Sequence, residues 1–341
     1  MKTIKVAING FGRIGRAFLK IAWNNPEIEI VAINDLGSIE SLAYLLRHDT
    51  VYRNWGHIVE IAETDLVIDG KIIKFISEKD TTKLPWKDLG VDVVVESTGL
   101  FTSFDKSQFH IDCGAKKVVI SAPSKGKESA IHGETILLGV NEDKFGTCDI
   151  TSNASCTTNA ASPLIAILHE SIGVEKAILN TVHGYTATQS IVDGPSKKDL
   201  REGRAAAQNI IPSSTGAAIA VTEAFPALTG LFDGLSIRVP VVCGSIVDIT
   251  FIAKRDTTKE EVNEILKKAS ADPRWNKLFM TTNEPLVSSD ILGESHACIA
   301  DLEMTRVVGG NLVKVLGWYD NEMGYTYTLV DHVIKTGKSI K

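Results

Sequence analysis

An apolar strand running into a glycine-rich turn and a helix opens the chain. A second strand closes on an acid, and strand patterns dominate after residue 153. These observations predict two parts: an α/β, Rossmann-like nucleotide domain, and an α+β domain with a mostly antiparallel sheet. The length of 341 residues suffices for two sizeable cores. Residues 1–153 are assigned to the first domain and 154–320 to the second.

The strand at residues 4–9 leads directly into Gly10-Phe11-Gly12-Arg13-Ile14-Gly15, and residues 16–23 continue as a helix ended by Asn24-Asn25-Pro26. The glycines permit a tight turn and let the backbone approach a pyrophosphate, which then faces the helix N-terminus. A second strand at 28–33 closes on Asn34-Asp35. Asp35 lies twenty residues after Gly15 (35 − 15), where a carboxylate can hold the adenosine ribose hydroxyls. It also repels a 2′-phosphate, which favours NAD over NADP. The alternative use of Asp35 is as a turn or cap for the helix that begins at Ser38 and Glu40.

Residues 66–76 read as a hairpin turning at Asp69-Gly70, an antiparallel excursion from the parallel sheet. Strands at 91–96 and 117–121 end at Ser97-Thr98-Gly99 and Ala122-Pro123-Ser124. Ligands bind at the carboxyl ends of such strands. Thr98, Gly99 and Ser121 are therefore cofactor-edge candidates, with plain turn chemistry as the alternative.

A last strand at 149–153 delivers the chain to Ser155-Cys156-Thr157-Thr158-Asn159, which opens a helix with an apolar body at 160–168. Pro163 falls within its first two turns, where a missing N–H is expected to cost little. Cys156 then lies beside unpaired backbone N–H groups, with the hydroxyls of Ser155, Thr157 and Thr158 around it. A helix N-terminus and an imidazolium both lower a thiol's pKa, and His183 follows one strand later. The alternatives are a small core cysteine and a satisfied turn histidine.

Arg238, alone in an apolar strand, needs an anion or a carboxylate partner. Ser213-Ser214-Thr215-Gly216 opens another helical run at 217–225, either as an anion site or as a cap. Strand-like runs at 177–182, 235–242, 245–253, 297–301 and 312–319, with a helix at 259–270, complete this second, catalytic domain.

The net charge of −6 gives no basic field for nucleic acid or anionic membrane. The lysine tail of Lys335, Lys338 and Lys341 is too thin to be a polybasic arm. Five widely spaced cysteines and no C-x-x-C pair argue against a disulfide framework or a zinc site, and fit a reduced cytosol. The chain has no signal-peptide pattern, and no apolar stretch approaches the ~20 residues that span a bilayer.

Assembled, these segments closely resemble the family of phosphorylating glyceraldehyde-3-phosphate dehydrogenases, nearly end to end. Residues 8–16 resemble its cofactor fingerprint and 152–159 its catalytic signature. The segment His183-Gly184-Tyr185-Thr186-Ala187-Thr188-Gln189 is similar to its histidine segment, and Trp318-Tyr319-Asp320-Asn321-Glu322 to its C-terminal motif. The resemblance implies NAD-dependent conversion of glyceraldehyde 3-phosphate and inorganic phosphate to 1,3-bisphosphoglycerate, through a thiohemiacetal and a thioester. Cys156 would be the nucleophile and His183 the base. Ser155, Thr157, Thr215 and Gly216 would bind the attacking phosphate, and Thr186 and Arg238 the substrate's own.

Arg13, Ile14, Asp35, Lys79, Ser121 and Asn321 would bind NAD, with Asn321 orienting the nicotinamide amide. Residues 184–204 would form a loop at the core of a homotetramer, and a helix from about 321 would return to the nucleotide domain. The chain departs from the family at Ala160, where many members have Cys, at Val241-Val242-Cys243-Gly244, and at Glu202. Pro195 matches NAD-preferring members. Two other readings are the related erythrose-4-phosphate dehydrogenase, whose thioester goes to water, and an NAD-binding protein without catalysis.

Overall fold

The computed structural model describes residues 3–124, 130–196 and 199–340. The chain divides into two compact units. One comprises 1–136, 142–154 and 326–341, and the other 137–141 and 155–325. The short excursion at 137–141 has no sequence signal of its own.

The first unit is built on strands β1 (Ile4–Asn9), β2 (Ile28–Asn34), β3 (Val59–Ala62), β4 (Asp65–Ile68), β5 (Lys71–Ile76), β6 (Val93–Glu96), β7 (Lys117–Ile120), β8 (Gly133–Thr135) and β9 (Ile150–Ser152). Helices α1 (Arg13–Ala22), α2 (Ile39–Arg47) and α3 (Phe104–Asp112) connect them. The strand order is β3-β4-β5-β2-β1-β6-β7-β9-β8. Every pairing from β5 to β8 is parallel, and β3-β4-β5 is the antiparallel excursion.

Val6, Ala7, Ile8, Val93, Val94 and Val95 are fully buried, as a parallel sheet covered on both faces requires. The chain leaves β1 towards β2 on one side, while β6 lies on the other. The carboxyl ends of these three strands therefore flank a topological switch point, the place where such sheets bind ligands. Strands β3 and β8 were missed from sequence because each is short, β3 mostly exposed and β8 mostly half-buried.

The second unit contains α4 (Cys156–Ile172), β10 (Val174–Gly184), β11 (Ile211–Ser214), α5 (Ala217–Ala224), β12 (Phe232–Val239), β13 (Ser245–Ala253) and α6 (Lys259–Ala271). It continues with β14 (Phe279–Thr282), β15 (Cys298–Asp301), β16 (Arg306–Val308) and β17 (Leu312–Tyr319). The sheet runs β11-β12-β10-β13-β17-β15-β14, with β16 on β17. The β10-β12 and β14-β15 pairs are parallel and the others antiparallel.

The nine residues of β13 alternate strictly between buried and half-buried, the period-two pattern of a sheet with one covered face. Helix α4 packs on β13, β15 and β17. Gly317 of β17 leaves room beneath the helix, since a Cβ there would meet the Cys298 Sγ of β15 at 2.6 Å and lie 3.4 Å from the Leu164 side chain of α4. Pro163 corrects the sequence expectation. It is the eighth residue of α4, so its missing N–H removes a helix bond to the Asn159 carbonyl, and the Ser162 hydroxyl reaches that oxygen instead at 3.5 Å.

Helix α7 (Met323–Lys338) ends the chain, and its part from Thr326 belongs to the first unit. There His332 is fully buried. Its Nε2 lies 2.8 Å from the Thr151 hydroxyl and its Nδ1 3.1 Å from the Asn153 Oδ1. Burial lowers its pKa to about 3. The unfolded chain then binds a proton near pH 6.5 that the folded chain refuses. Stability is full above that pH and falls as pH drops towards 3, by about 1.4 kcal/mol per pH unit for one such group. Urea unfolding at pH 7 and pH 5 is expected to show this loss, and His332→Gln is expected to reduce it by about one histidine's share, roughly 2 kcal/mol. An unchanged pH dependence in the variant would exclude His332 as its source.

Candidate active site and cofactor pocket

In the first unit a cavity of about 450 Å³ opens at the ends of β1, β2 and β6. Gly10, Gly12, Asp35, Lys79 and Thr98 line it. Gly10 has φ +95°, and a Cβ there would lie 2.6 Å from the Thr98 nitrogen, so only glycine fits. At Gly12 a Cβ would meet nothing within 4 Å, so the backbone faces open space at the start of α1. That helix has no side-chain cap and no acid in its first turn, an end whose dipole favours an anion.

Asp35 takes the turn use weighed from sequence and stands at the cavity's edge. Its Oδ1 accepts from the Gly37 N–H at 2.8 Å and its Oδ2 from the Phe11 N–H at 2.6 Å. Each oxygen keeps an acceptor position for a ribose hydroxyl. Leu36, Leu84, Leu100 and Phe101 add apolar wall for a flat base. These features fit a dinucleotide.

The other expected cofactor residues act less directly or elsewhere. The Phe11 side chain is buried in the core. Gly15 packs under the loop, where a Cβ would strike the Gly10 carbonyl. Ile14 follows Arg13 in the first turn of α1. The Arg13 guanidinium bonds Asp49 at 2.8 Å and lies over the Tyr52 ring. Gly99 turns with φ +73°, and the Ser121 N–H donates to the Glu96 carbonyl at 2.9 Å.

Asn321 lies in the second unit. Its Oδ1 accepts from the Gly244 N–H at 3.0 Å and the Ser245 hydroxyl at 2.9 Å, which leaves its amide N–H groups to donate. The segment that departs from the family pattern thus still supplies a bond to Asn321 through Gly244.

Sequence reasoning missed the buried polar network beneath the cavity. Asn34 donates to the Asn9 Oδ1 at 2.8 Å, and Asn9 donates to the Glu96 Oε2 at 2.6 Å. Glu96 also accepts from the Thr98 N–H and hydroxyl and lies 3.1 Å from the His110 Nε2. Polar residues closing three apolar strands, Asn9, Asn34 and Glu96, were the signal available in the sequence.

The reactive constellation lies within the second unit. Ala154, with φ 54°, turns the chain from β9 towards α4. Ser155 caps that helix, its Oγ accepting from the Thr158 N–H at 3.1 Å. Cys156 is the first helical residue and is partly exposed. Its Sγ stands 3.4 Å from the Nε2 of His183, which is 3% exposed. Parallel pairing of β10 and β12 sets His183 on the same rung as Arg238. The Arg238 Nη1 is 2.6 Å from the His183 Nδ1, and the Gly184 carbonyl lies 2.6 Å from the same nitrogen. Tyr319 supports the site from behind, its hydroxyl 2.9 Å from that of Thr157 and 2.8 Å from that of Thr181.

The expected low thiol pKa and imidazolium are corrected. Burial pushes the Cys156 thiol up, against the opposing pull of the Arg238 charge, the Thr157 hydroxyl and the N–H groups of Cys156 and Thr157. Burial, then the Arg238 charge, lowers His183 to about 3, against the Gly184 carbonyl. Both directions favour a neutral thiol beside a neutral imidazole.

Of the expected anion ligands, Arg238 joins this constellation, and among the described residues no carboxylate pairs with it. Thr186 and Thr215 make local bonds, to the Thr188 hydroxyl at 2.9 Å and from the Ala217 N–H at 3.2 Å. Gly216 caps α5.

Profile comparison matches residues 4–104 to "Glyceraldehyde 3-phosphate dehydrogenase, NAD binding domain" and 155–321 to "Glyceraldehyde 3-phosphate dehydrogenase, C-terminal domain". Among curated proteins the chain is 46% identical to a glyceraldehyde-3-phosphate dehydrogenase of Streptomyces coelicolor, over 99% of this chain and 100% of that one. It is 49% identical to one of Thermotoga maritima, covering 96% and 97%. A Borreliella burgdorferi protein of the same name is 48% identical, covering 96% and 98%. On these matches the chain belongs to the glyceraldehyde 3-phosphate dehydrogenase family and carries that family's NAD binding domain.

Proposed function

We propose that the chain is an NAD-dependent, phosphorylating glyceraldehyde-3-phosphate dehydrogenase acting through Cys156, with 1,3-bisphosphoglycerate as product. The observation that carries this reading is the Cys156 Sγ at a helix start, 3.4 Å from the His183 Nε2. Sγ adds to the aldehyde carbon as its proton passes to Nε2, and the new oxyanion is met by N–H groups of the first helical turn. NAD, when bound, supplies the acceptor for the hydride that converts this thiohemiacetal to a thioester. His183 first returns the sulfur's proton from Nε2 to that oxyanion, which makes the hydroxyl, then takes the hydroxyl proton as the hydride leaves and gives it up to water. Inorganic phosphate then attacks the thioester carbon, the acyl phosphate leaves, and sulfur departs as thiolate to be reprotonated.

Arg238 and Thr186 hold the substrate's phosphate. The absence of a carboxylate beside Arg238 among the described residues supports that role, since a guanidinium in an apolar strand requires a counter-charge. Ser155, Thr157, Thr215 and Gly216 hold the attacking phosphate. Gly10, Phe11, Gly12, Arg13, Ile14, Gly15, Asp35, Lys79, Thr98, Gly99 and Ser121 form the NAD site, and the free amide N–H groups of Asn321 suit the nicotinamide carboxamide.

The assembly is a homotetramer. Ile178, Ile191, Leu200 and Ile210 of the second unit are 64–85% exposed, apolar surface that association would cover. The compartment is the cytoplasm, which the free cysteines suit. Among the described residues no helix is long and apolar enough to cross a membrane.

Initial rates with NAD or NADP, with and without inorganic phosphate, test the reading. Phosphate-dependent NADH formation is expected. NADH formed equally fast without phosphate would turn it to the hydrolysing, erythrose-4-phosphate type. Asp35→Ala is expected to raise the KM for NAD by roughly 10–100-fold, the scale of a hydrogen bond to a charged group. An unchanged KM would remove Asp35 from the ribose site.

A further inference from the structure

Four hydrogens converge on one buried carboxylate beneath the first unit's cavity. Glu96 is 2% exposed. Its Oε1 accepts from the Thr98 N–H at 2.9 Å and from the Thr98 hydroxyl. Its Oε2 accepts from the Asn9 amide at 2.6 Å and stands 3.1 Å from the His110 Nε2. Each of these donors is fixed in direction by a group that can only donate. The Thr98 N–H is itself backbone. The Leu100 N–H donates to the Thr98 hydroxyl oxygen at 3.1 Å, which leaves the hydroxyl proton for Glu96. The Glu78 N–H donates to the Asn34 Oδ1 at 2.9 Å, so Asn34 donates to the Asn9 Oδ1 and Asn9 to Glu96. The Trp86 indole N–H lies 2.9 Å from the His110 Nδ1, so the proton of the neutral ring sits on Nε2. Burial lowers the His110 pKa, against the pull of Glu96, and keeps that ring neutral.

We propose that Glu96 is a positioning residue of the cofactor site, whose carboxylate, as common acceptor for four fixed donors, holds together the separate chain segments that line the cavity. The inference rests on the reading of this cavity as the NAD site. Asn9 precedes Gly10, Asn34 precedes Asp35, Glu78 precedes Lys79, and Thr98 is itself part of the wall. These segments come from the ends of β1 and β2 and from the chain after β5 and after β6. The Thr98 nitrogen is also the atom against which Gly10 fits. Glu96 does not itself line the cavity, so it acts on a cofactor through these neighbours.

Glutamine has the shape of glutamate but only one acceptor oxygen, with an amide donor in place of the other. Either way round, its NH2 group faces two of the fixed donors. Asn9 cannot reverse, because Asn34 ties it to the Glu78 backbone. Thr98 cannot reverse, because its donor is main chain. His110 can reverse, but only once the indole N–H opposite its Nδ1 is removed.

The test measures NAD binding to the full chain by calorimetry, with steady-state rates alongside. Glu96→Gln is expected to raise the dissociation constant and the KM for NAD by roughly tenfold, the scale of one misplaced buried hydrogen bond, and to leave kcat at saturating NAD unchanged. Trp86→Phe alone is expected to bind NAD as the wild type does. In the double variant Trp86→Phe/Glu96→Gln, His110 can carry its proton on Nδ1 and accept from the glutamine amide at Nε2, and part of the lost affinity is expected to return. Two independent packing defects would add instead. Unchanged NAD affinity in Glu96→Gln, or a double variant that binds no more tightly than Glu96→Gln, would overturn the proposal. If the glutamine variants fail to fold, 15N-histidine spectra of the wild type decide. His110, identified by its displacement in Trp86→Phe, is expected to be neutral with its proton on Nε2, and a proton on Nδ1 would overturn the proposal. A wild type that binds no NAD would instead sink the reading of the cavity, whatever the network.

Discussion

Cys156→Ser is expected to stop phosphate-dependent NADH formation, by roughly 10⁴–10⁶-fold, the scale on which losing a covalent nucleophile acts. The hydroxyl would occupy the same first-turn position, capped by Ser155 and facing the His183 Nε2. Geometry would survive and chemistry would not. A hydroxyl is far less acidic than a thiol, and an oxygen ester is a poorer acyl donor to phosphate than a thioester. NAD affinity is expected to stay unchanged, because the cavity beside Gly10 and Asp35 is formed by first-unit residues. Absorbance of NADH and direct NAD titration read the two effects separately. A serine variant within tenfold of wild type would end the covalent scheme.

His183→Asn is expected to slow acylation by roughly 10²–10⁴-fold, the usual contribution of a positioned general base. Asparagine keeps a donor near the oxyanion but cannot take the proton from sulfur or from the thiohemiacetal hydroxyl. The pH dependence carries more information than the rate. With its pKa lowered to about 3, His183 is neutral above that value, so the base form is present at neutral pH and lost only as pH falls through it. Wild type should therefore lose little acylation rate to this group on mild acidification. In the variant the sulfur must lose its proton to solvent, and burial raises that thiol. Single-turnover NADH bursts in the variant should rise with pH well into the alkaline range. A burst rate in His183→Asn equal to wild type at every pH would remove the imidazole from catalysis.

Most of the architecture was legible because periodicity is a local property. The run from β1 through Asp35, the hairpin at Asp69-Gly70 and the strand Leu312–Tyr319 all followed from patterning and turn residues. Short strands with mixed burial, β3 and β8, left no such pattern. The cysteine and histidine were legible as candidates because their flanks mark a helix start and a strand end. Glu96, Asn9 and Tyr319 were not singled out, since a buried polar residue shows its purpose only through its partners.

The chain's order of residues determined the two-part organisation, the glycine turn before α1, and the cysteine, proposed here as nucleophile, at the start of α4. Those depend on neighbours within a few positions. Only folding decided that His183 and Arg238 share a rung, and that Arg238 meets an imidazole rather than a carboxylate. Folding also buried both groups, which pushes the thiol's pKa up and the imidazole's down. Charge states depend on burial and on groups brought from 27 and 55 positions away, and no local pattern encodes those distances.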